Sequence, residues 1–292
     1  AEAIELGGMI LEGQTSIIET YKELPEKIKL NYPLMMLWFA SGFLSYRKRN
    51  LFEDAFRYFR ESVIKGNCKY GKEKILMFAE LLLAADSFGD FDKVKKHLKN
   101  AIEFSRDSIF DEFESLPVTF GAPTAAEIFY SSGNFSVTAE KLSGTEGMWN
   151  AVTGGSRKGI GNCARAEAMY MAGEFDRAEI LTLRAMKEAK EYNRSDILIN
   201  AMFQDGRIAL AKGDCARLRN AIAEIKAIAS ENRSEYSRLL KTADICIGFF
   251  KIKTGRVNEL ADWLLNGEIE DAGIYPYAMP AAYAIYMGSL IM

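Results

Sequence analysis

Apolar residues along this chain recur at helical steps. Phe52, Phe56, Phe59 and Val63 follow one another at intervals of three and four, as do Ala178, Leu181, Ala185 and Ala189, and then Leu218, Ile222, Ile225 and Ala229. Each set forms one stripe on an amphipathic helix, and each stripe must be covered by a neighbour. Strict alternation of apolar and polar residues, the mark of a half-buried strand, is hard to find, so no sheet is expected.

Short turns punctuate these stripes. They read Gly89-Asp90-Phe91, Gly133-Asn134-Phe135, Gly173-Glu174-Phe175, Gly213-Asp214-Cys215 and Gly255-Arg256-Val257, after a degenerate first copy Arg49-Asn50-Leu51. Successive copies start 40, 44, 40, 40 and 42 residues apart. Glycine ends a helix by taking the left-handed conformation without steric cost, and the acidic or amide residue after it favours the start of the next helix. Each copy therefore predicts helix, tight turn, helix. Ala168 and Tyr170 before Gly173, with Ala178 and Ala185 after it, let two antiparallel helices approach closely. The expected fold is all-α: an α-solenoid of about six to seven tetratricopeptide-like (TPR-like) helix pairs, with a repeat of about 40 residues. It is read as a single superhelical domain over residues 1–292.

Two stretches break the pattern. Leu116 to Pro123 carries two prolines, and residues 143–162 hold Gly144, Gly147, Gly154, Gly155, Gly159 and Gly161. The second stretch is expected to be a long loop inside the helical array, a place where loops are more often functional than structural. Trp149 in its middle is a candidate contact residue. The run Gly154-Gly155-Ser156-Arg157-Lys158-Gly159 fails as a phosphate loop, because its lysine precedes the glycine and no strand leads into it.

Composition narrows the function without naming it. Apolar residues make up 49% and charged residues 26%, with six prolines, which excludes collagen-like and largely disordered classes. The net charge of −3 gives no global reason to bind nucleic acid or an anionic membrane. Residues 272–292 carry no charge, but Pro276, Pro280, Gly288 and four tyrosines argue against a spanning helix. Cys68, Cys163, Cys215 and Cys246 are too scattered for structural zinc and fit buried thiols in a reducing cytoplasm. His97 is the only histidine and stands on a lysine-rich helix with no nucleophile paired to it by any motif. No catalytic, metal or cofactor constellation emerges, and a non-enzymatic protein is expected. In a solenoid the first helices of successive pairs line a groove. Tyr46, Arg47, Arg165, Glu167, Tyr170, Gln204 and Arg207 are the groove candidates for ligand binding, together with Trp149.

The run from Arg165 to Glu179 (RAEAMYMAGEFDRAE) resembles the repeat core of the sensor region in large LuxR-type, MalT-like transcription regulators. Ala261-Asp262-Trp263-Leu264-Leu265 with Gly273-Ile274-Tyr275-Pro276-Tyr277 looks like the closing part of that region, and Gln204 to Asp214 fits between them. These motifs consist mostly of helix-packing residues. The resemblance implies an effector-sensing and protein-interaction region that controls activation of a longer regulator. Its partners would be a small-molecule effector or a partner protein, with possible self-association. In that family a nucleotide-binding ATPase module precedes the superhelix and a LuxR helix-turn-helix follows it, so contact with DNA would come only through a C-terminal domain outside this chain. The alternative is a TPR-like scaffold that binds peptides or partner proteins without a transcriptional role; an all-helical hydrolase is a weaker third reading. The uncharged end, Gly288-Ser289-Leu290-Ile291-Met292, is expected to be covered in a longer protein, by self-association or by folding back on its own last repeat.

Overall fold

A computed structural model of the chain describes residues 14–45, 48–66, 72–87, 90–104, 135–153, 155, 158–231, 237–270, 272, 274 and 278–292. The described residues form fourteen α-helices and one short 3-10 helix, with no strand. The all-helical expectation holds. The break at residues 116–123, Cys68, Tyr46 and Arg47 lie outside the described residues, as do parts of the turns at Gly89, Gly133 and Gly154.

The chain divides into two compact units. Residues 1–118 with 151–154 form the first. It contains α1 (Gln14–Glu23), α2 (Glu26–Asn31), α3 (Pro33–Ser45), α4 (Arg49–Ile64), α5 (Lys72–Asp86) and α6 (Phe91–Phe104). Helix α3 packs on α4 and α5 on α6, while α1, α3 and α5 touch in turn. Phe52, Phe56 and Phe59 are buried, so the aromatic stripe of α4 faces the core as its spacing requires. The Tyr21 ring meets Phe39 and Phe43 at 5.2 and 5.0 Å between centroids, and its hydroxyl donates to Asp54 Oδ2 at 2.6 Å. An aromatic body with one polar end is thereby satisfied on both counts. Arg49 opens helix α4 instead of lying in a turn, so the degenerate first copy of the motif sits one step inside the helix it was expected to precede.

Residues 119–150 with 155–292 form the second unit. Its helices are most of α7 (Phe135–Thr153), then α8 (Ile160–Met171), α9 (Phe175–Glu191), α10 (Ser195–Lys212), α11 (Cys215–Glu231) and α12 (Ser237–Lys253). The 3-10 turn Val257–Glu259, α13 (Asp262–Leu265) and α14 (Met279–Ile291) follow. From α8 to α12 each helix packs on the next, and the alternate helices α8, α10, α12 and α14 also touch one another in order. Ala178, Leu181, Ala185 and Ala189 are all buried, as are Leu218, Ile225 and Ala229, with Ile222 packed at the edge of the same core.

The turns repeat one chemistry. Gly173, Gly213 and Gly255 have φ of 78°, 72° and 72°, and Asn193 has φ 51°. After each, the next N–H reaches back five residues: Glu174 to Met169 O at 2.9 Å, Arg194 to Ala189 O at 2.8 Å, Asp214 to Ala209 O at 2.9 Å and Arg256 to Lys251 O at 2.8 Å. These bonds satisfy carbonyls that a helix end leaves open. Asn193 marks the turn between the glycine turns, the one position where a residue other than glycine takes this conformation among the described residues. The copy at Gly255 departs from the pattern, since a 3-10 turn follows it in place of a second long helix.

The glycine-rich loop expected at residues 143–162 is corrected by the structure. Residues 143–153 belong to α7 and α8 begins at Ile160. Gly144 and Gly147 point into open space on the exposed side of α7, while Ala139 and Trp149 are buried on its other side. Two mid-helix glycines cost about 2 kcal/mol relative to alanine. Burying a large aromatic side chain contributes a comparable amount.

Candidate functional site

Helix α8 starts where a carboxylate meets its free N–H groups. Gly159 stands at φ 95°, and Glu146 Oε1 and Oε2 accept from the backbone N–H of Gly159 and Gly161, each at 3.0 Å. A Cβ at Gly161 would meet that carboxylate and lie 3.1 Å from Ser143 Cα, so a larger residue there displaces the capping side chain. Burial pushes the Glu146 carboxyl above the usual range and the nearby Glu188 adds to the rise, against the opposing pull of the two N–H groups and Lys158. On its buried face α8 carries Cys163, Ala164, Ala166 and Ala168, small side chains that let α10 come close. Helix α10 repeats the device toward α12: a Cβ at Gly206 would lie 2.5 Å from Cζ of the buried Phe250.

At the seam between α8 and α10, four of the eight candidate residues come together. Arg207 Nη1 pairs with Glu167 Oε1 at 2.8 Å and donates to Gln204 Oε1 at 3.1 Å. The guanidinium carbon lies 4.4 Å from the centroid of the Tyr170 ring and 5.6 Å from that of Phe203. Arg207 Nη2 donates to the thioether of Met171 at 3.8 Å, a weak acceptor on a half-exposed side chain. Glu167 and Gln204 are 6% and 3% exposed, so the pair is largely desolvated. Glu167 and Arg207 are forty positions apart and occupy equivalent places on α8 and α10, each six residues before a turn glycine.

The other four candidates do not join this cluster. Arg165 is exposed on α8, two residues from Glu167, and positions two apart on a helix do not share a face. Trp149 is 3% exposed within α7 and serves the core; its reading as a loop contact residue is corrected accordingly. Tyr46 and Arg47 fall outside the described residues.

A second polar cluster escapes a reading of the sequence by motif. Arg217 on α11 binds Asp205 Oδ1 on α10 and Glu179 Oε1 on α9, both at 2.5 Å. Lys212 binds Asp176 and Glu179, each at 2.7 Å. The one signal available was opposite charge at separations near one repeat, and that pattern is meaningless until the repeats are superposed. Asp205 follows Gln204 directly yet faces α11, so adjacent residues of α10 serve different seams.

Elsewhere the reactive residue types have structural partners. His97 Nδ1 lies 2.7 Å from Glu80 Oε2, which also accepts from Asn100 at 3.1 Å. Burial raises the thiols of Cys163 and Cys246 far above their ordinary range, which keeps them protonated and poor nucleophiles at neutral pH. Cys215 is exposed at the start of α11, against the expectation of a buried thiol. Among the described residues no group of three or more His, Cys, Asp or Glu is placed to hold a metal ion, and no helix is long and apolar enough to cross a membrane. Helix α14 buries Ala282 and Ile285 but leaves Met287, Leu290, Ile291 and Met292 exposed. Compared with protein-family models, curated proteins and solved structures, the chain matches none.

Proposed function

We propose that this chain is a non-enzymatic helical-repeat module that senses an effector and engages partner proteins, as the TPR-like superhelical region of a LuxR-type transcription regulator. The observation that carries the sensing role is the Glu167–Arg207 pair with Gln204 and Tyr170, which ties the first helices of successive hairpins through a few polar contacts. A ligand that takes up any of those contacts changes how α8 sits on α10. Its differential affinity for the two arrangements then shifts the population of superhelix shapes, which is the thermodynamic content of an effector switch. The transcriptional setting rests on the sequence resemblance around residues 165–179 and 204–214.

The experiment is to read the coding sequence on either side of this segment. The regulator reading expects a nucleotide-binding loop upstream and a helix-turn-helix downstream. Absence of both refutes it. A TPR-like scaffold without a transcriptional role is then the reading that remains, favoured by the exposed apolar face of α14 at Met287, Leu290 and Ile291.

A further inference from the structure

Gln204 is the unusual member of the cluster. Its Oε1 is fixed by the hydrogen bond from Arg207, and turning the amide over would set two donors against each other. Nε2 is therefore the other end of the same amide, buried and without a hydrogen-bond partner among the described residues. Such orphaned donors are few in folded proteins, and each one calls for an explanation. Beside it, Arg207 commits Nη1 to Glu167 and Gln204 but leaves Nη2 on the Met171 thioether. Two donors without an oxygen acceptor, one cationic and one neutral, thus belong to two side chains that the Arg207 Nη1 to Gln204 Oε1 bond joins. The thioether that closes this edge belongs to a flexible side chain that is 47% exposed. Around the guanidinium, the half-buried rings of Tyr170 and Phe203 supply flat apolar walls.

We propose that the seam between α8 and α10 is a receptor for a small organic carboxylate with an aromatic body. One carboxylate oxygen accepts from Arg207 Nη2 and the other from Gln204 Nε2 after the Met171 side chain swings aside. The body packs against Tyr170. Two carboxylate oxygens match two donors on different side chains, one of them charged and so the stronger. Glu167 sets the charge class: it already neutralises Arg207, so a dianion such as phosphate gains no Coulombic advantage over a monoanion and costs more to desolvate. This inference names the ligand class for the effector-sensing reading above and rests on it. The regulator assignment is decided by the flanking coding sequence, so either can fail without the other.

The test is calorimetric titration of the full chain with benzoate, acetate and inorganic phosphate at concentrations up to about 10 mM, above the millimolar constants expected of such small ligands. Benzoate is expected to bind saturably, acetate about tenfold more weakly for want of a body to stack, and phosphate not at all. Gln204→Leu removes the orphaned donor together with the Oε1 that accepts from Arg207 Nη1, which keeps its pair with Glu167, so the variant is expected to fold, as its melt checks, while losing at least about tenfold in benzoate affinity. Methyl-labelled methionine spectra of the unsubstituted chain give a readout that needs no core variant. The Met171 signal, assigned with Met171→Leu, must move as benzoate binds. The proposal is overturned if benzoate fails to bind the unsubstituted chain, if Gln204→Leu binds it equally well, if the Met171 signal stays in place at saturation, or if phosphate binds as tightly as benzoate.

Discussion

Removing either partner of the Glu167–Arg207 pair strands a charge in a largely desolvated seam. The side chains are 8% and 13% exposed, so water screens the survivor poorly. Breaking a buried pair on one side costs about 3–5 kcal/mol, and the residual exposure here places the expectation near the lower end, about 3 kcal/mol for Glu167→Met or for Arg207→Met. For a unit of this size that lowers the melting temperature by about 6–12 °C. The double variant removes both charges and fills similar volume with methionine, which buried-pair replacements show to be close to neutral. A double-mutant cycle read by urea unfolding should therefore give a coupling of at least about 2 kcal/mol, with the double variant more stable than either single one. Single losses below about 0.5 kcal/mol, or a double variant equal to the sum of the singles, would refute the view that this pair ties α8 to α10.

Other expectations follow from neighbouring contacts. Gly206→Ala gains about 1 kcal/mol of helix propensity but drives a Cβ into Phe250, a buried ring held by Phe203 and Phe249 at 5.3 and 5.6 Å, so a net loss of about 1–2 kcal/mol is expected, recovered when Phe250→Leu is added; urea melts decide it. Glu146 has a raised carboxyl, so the folded state holds its proton more tightly than the unfolded one; its contribution to stability is present at low pH and lost as pH rises through the raised value. Glu146→Gln should flatten that decline in melts taken from acid pH up to neutrality, and an unchanged slope would count against it. Association of two copies through α14 predicts a mass that grows with concentration in light scattering and that Leu290→Lys with Ile291→Lys returns to the monomer, whereas a concentration-independent monomer before substitution rejects it.

The sequence by itself determined the local events. Helical stripes such as Ala178, Leu181, Ala185 and Ala189 went to the core because their period places them on one face, whatever lies opposite. Gly173 and Gly213 ended helices because the left-handed turn is a property of a single residue. Asn193 was readable in principle, since asparagine tolerates that conformation and it stands twenty residues after Gly173. Only the tertiary structure decided the rest. Local composition made residues 143–153 look like a loop, and the burial of Trp149 together with the Glu146 cap, thirteen and fifteen residues from its two N–H partners, made them a helix. Glu167, Tyr170, Gln204 and Arg207 could be named as groove residues one at a time, but their meeting depends on two helices a repeat apart lying side by side. The same dependence joins Arg217 to Glu179 and leaves Gln204 Nε2 without a partner. A helix face is set by the period of its own residues; a pairing across a seam is set by which faces pack, a choice made by the sum of all the buried contacts and carried by no single stretch of chain.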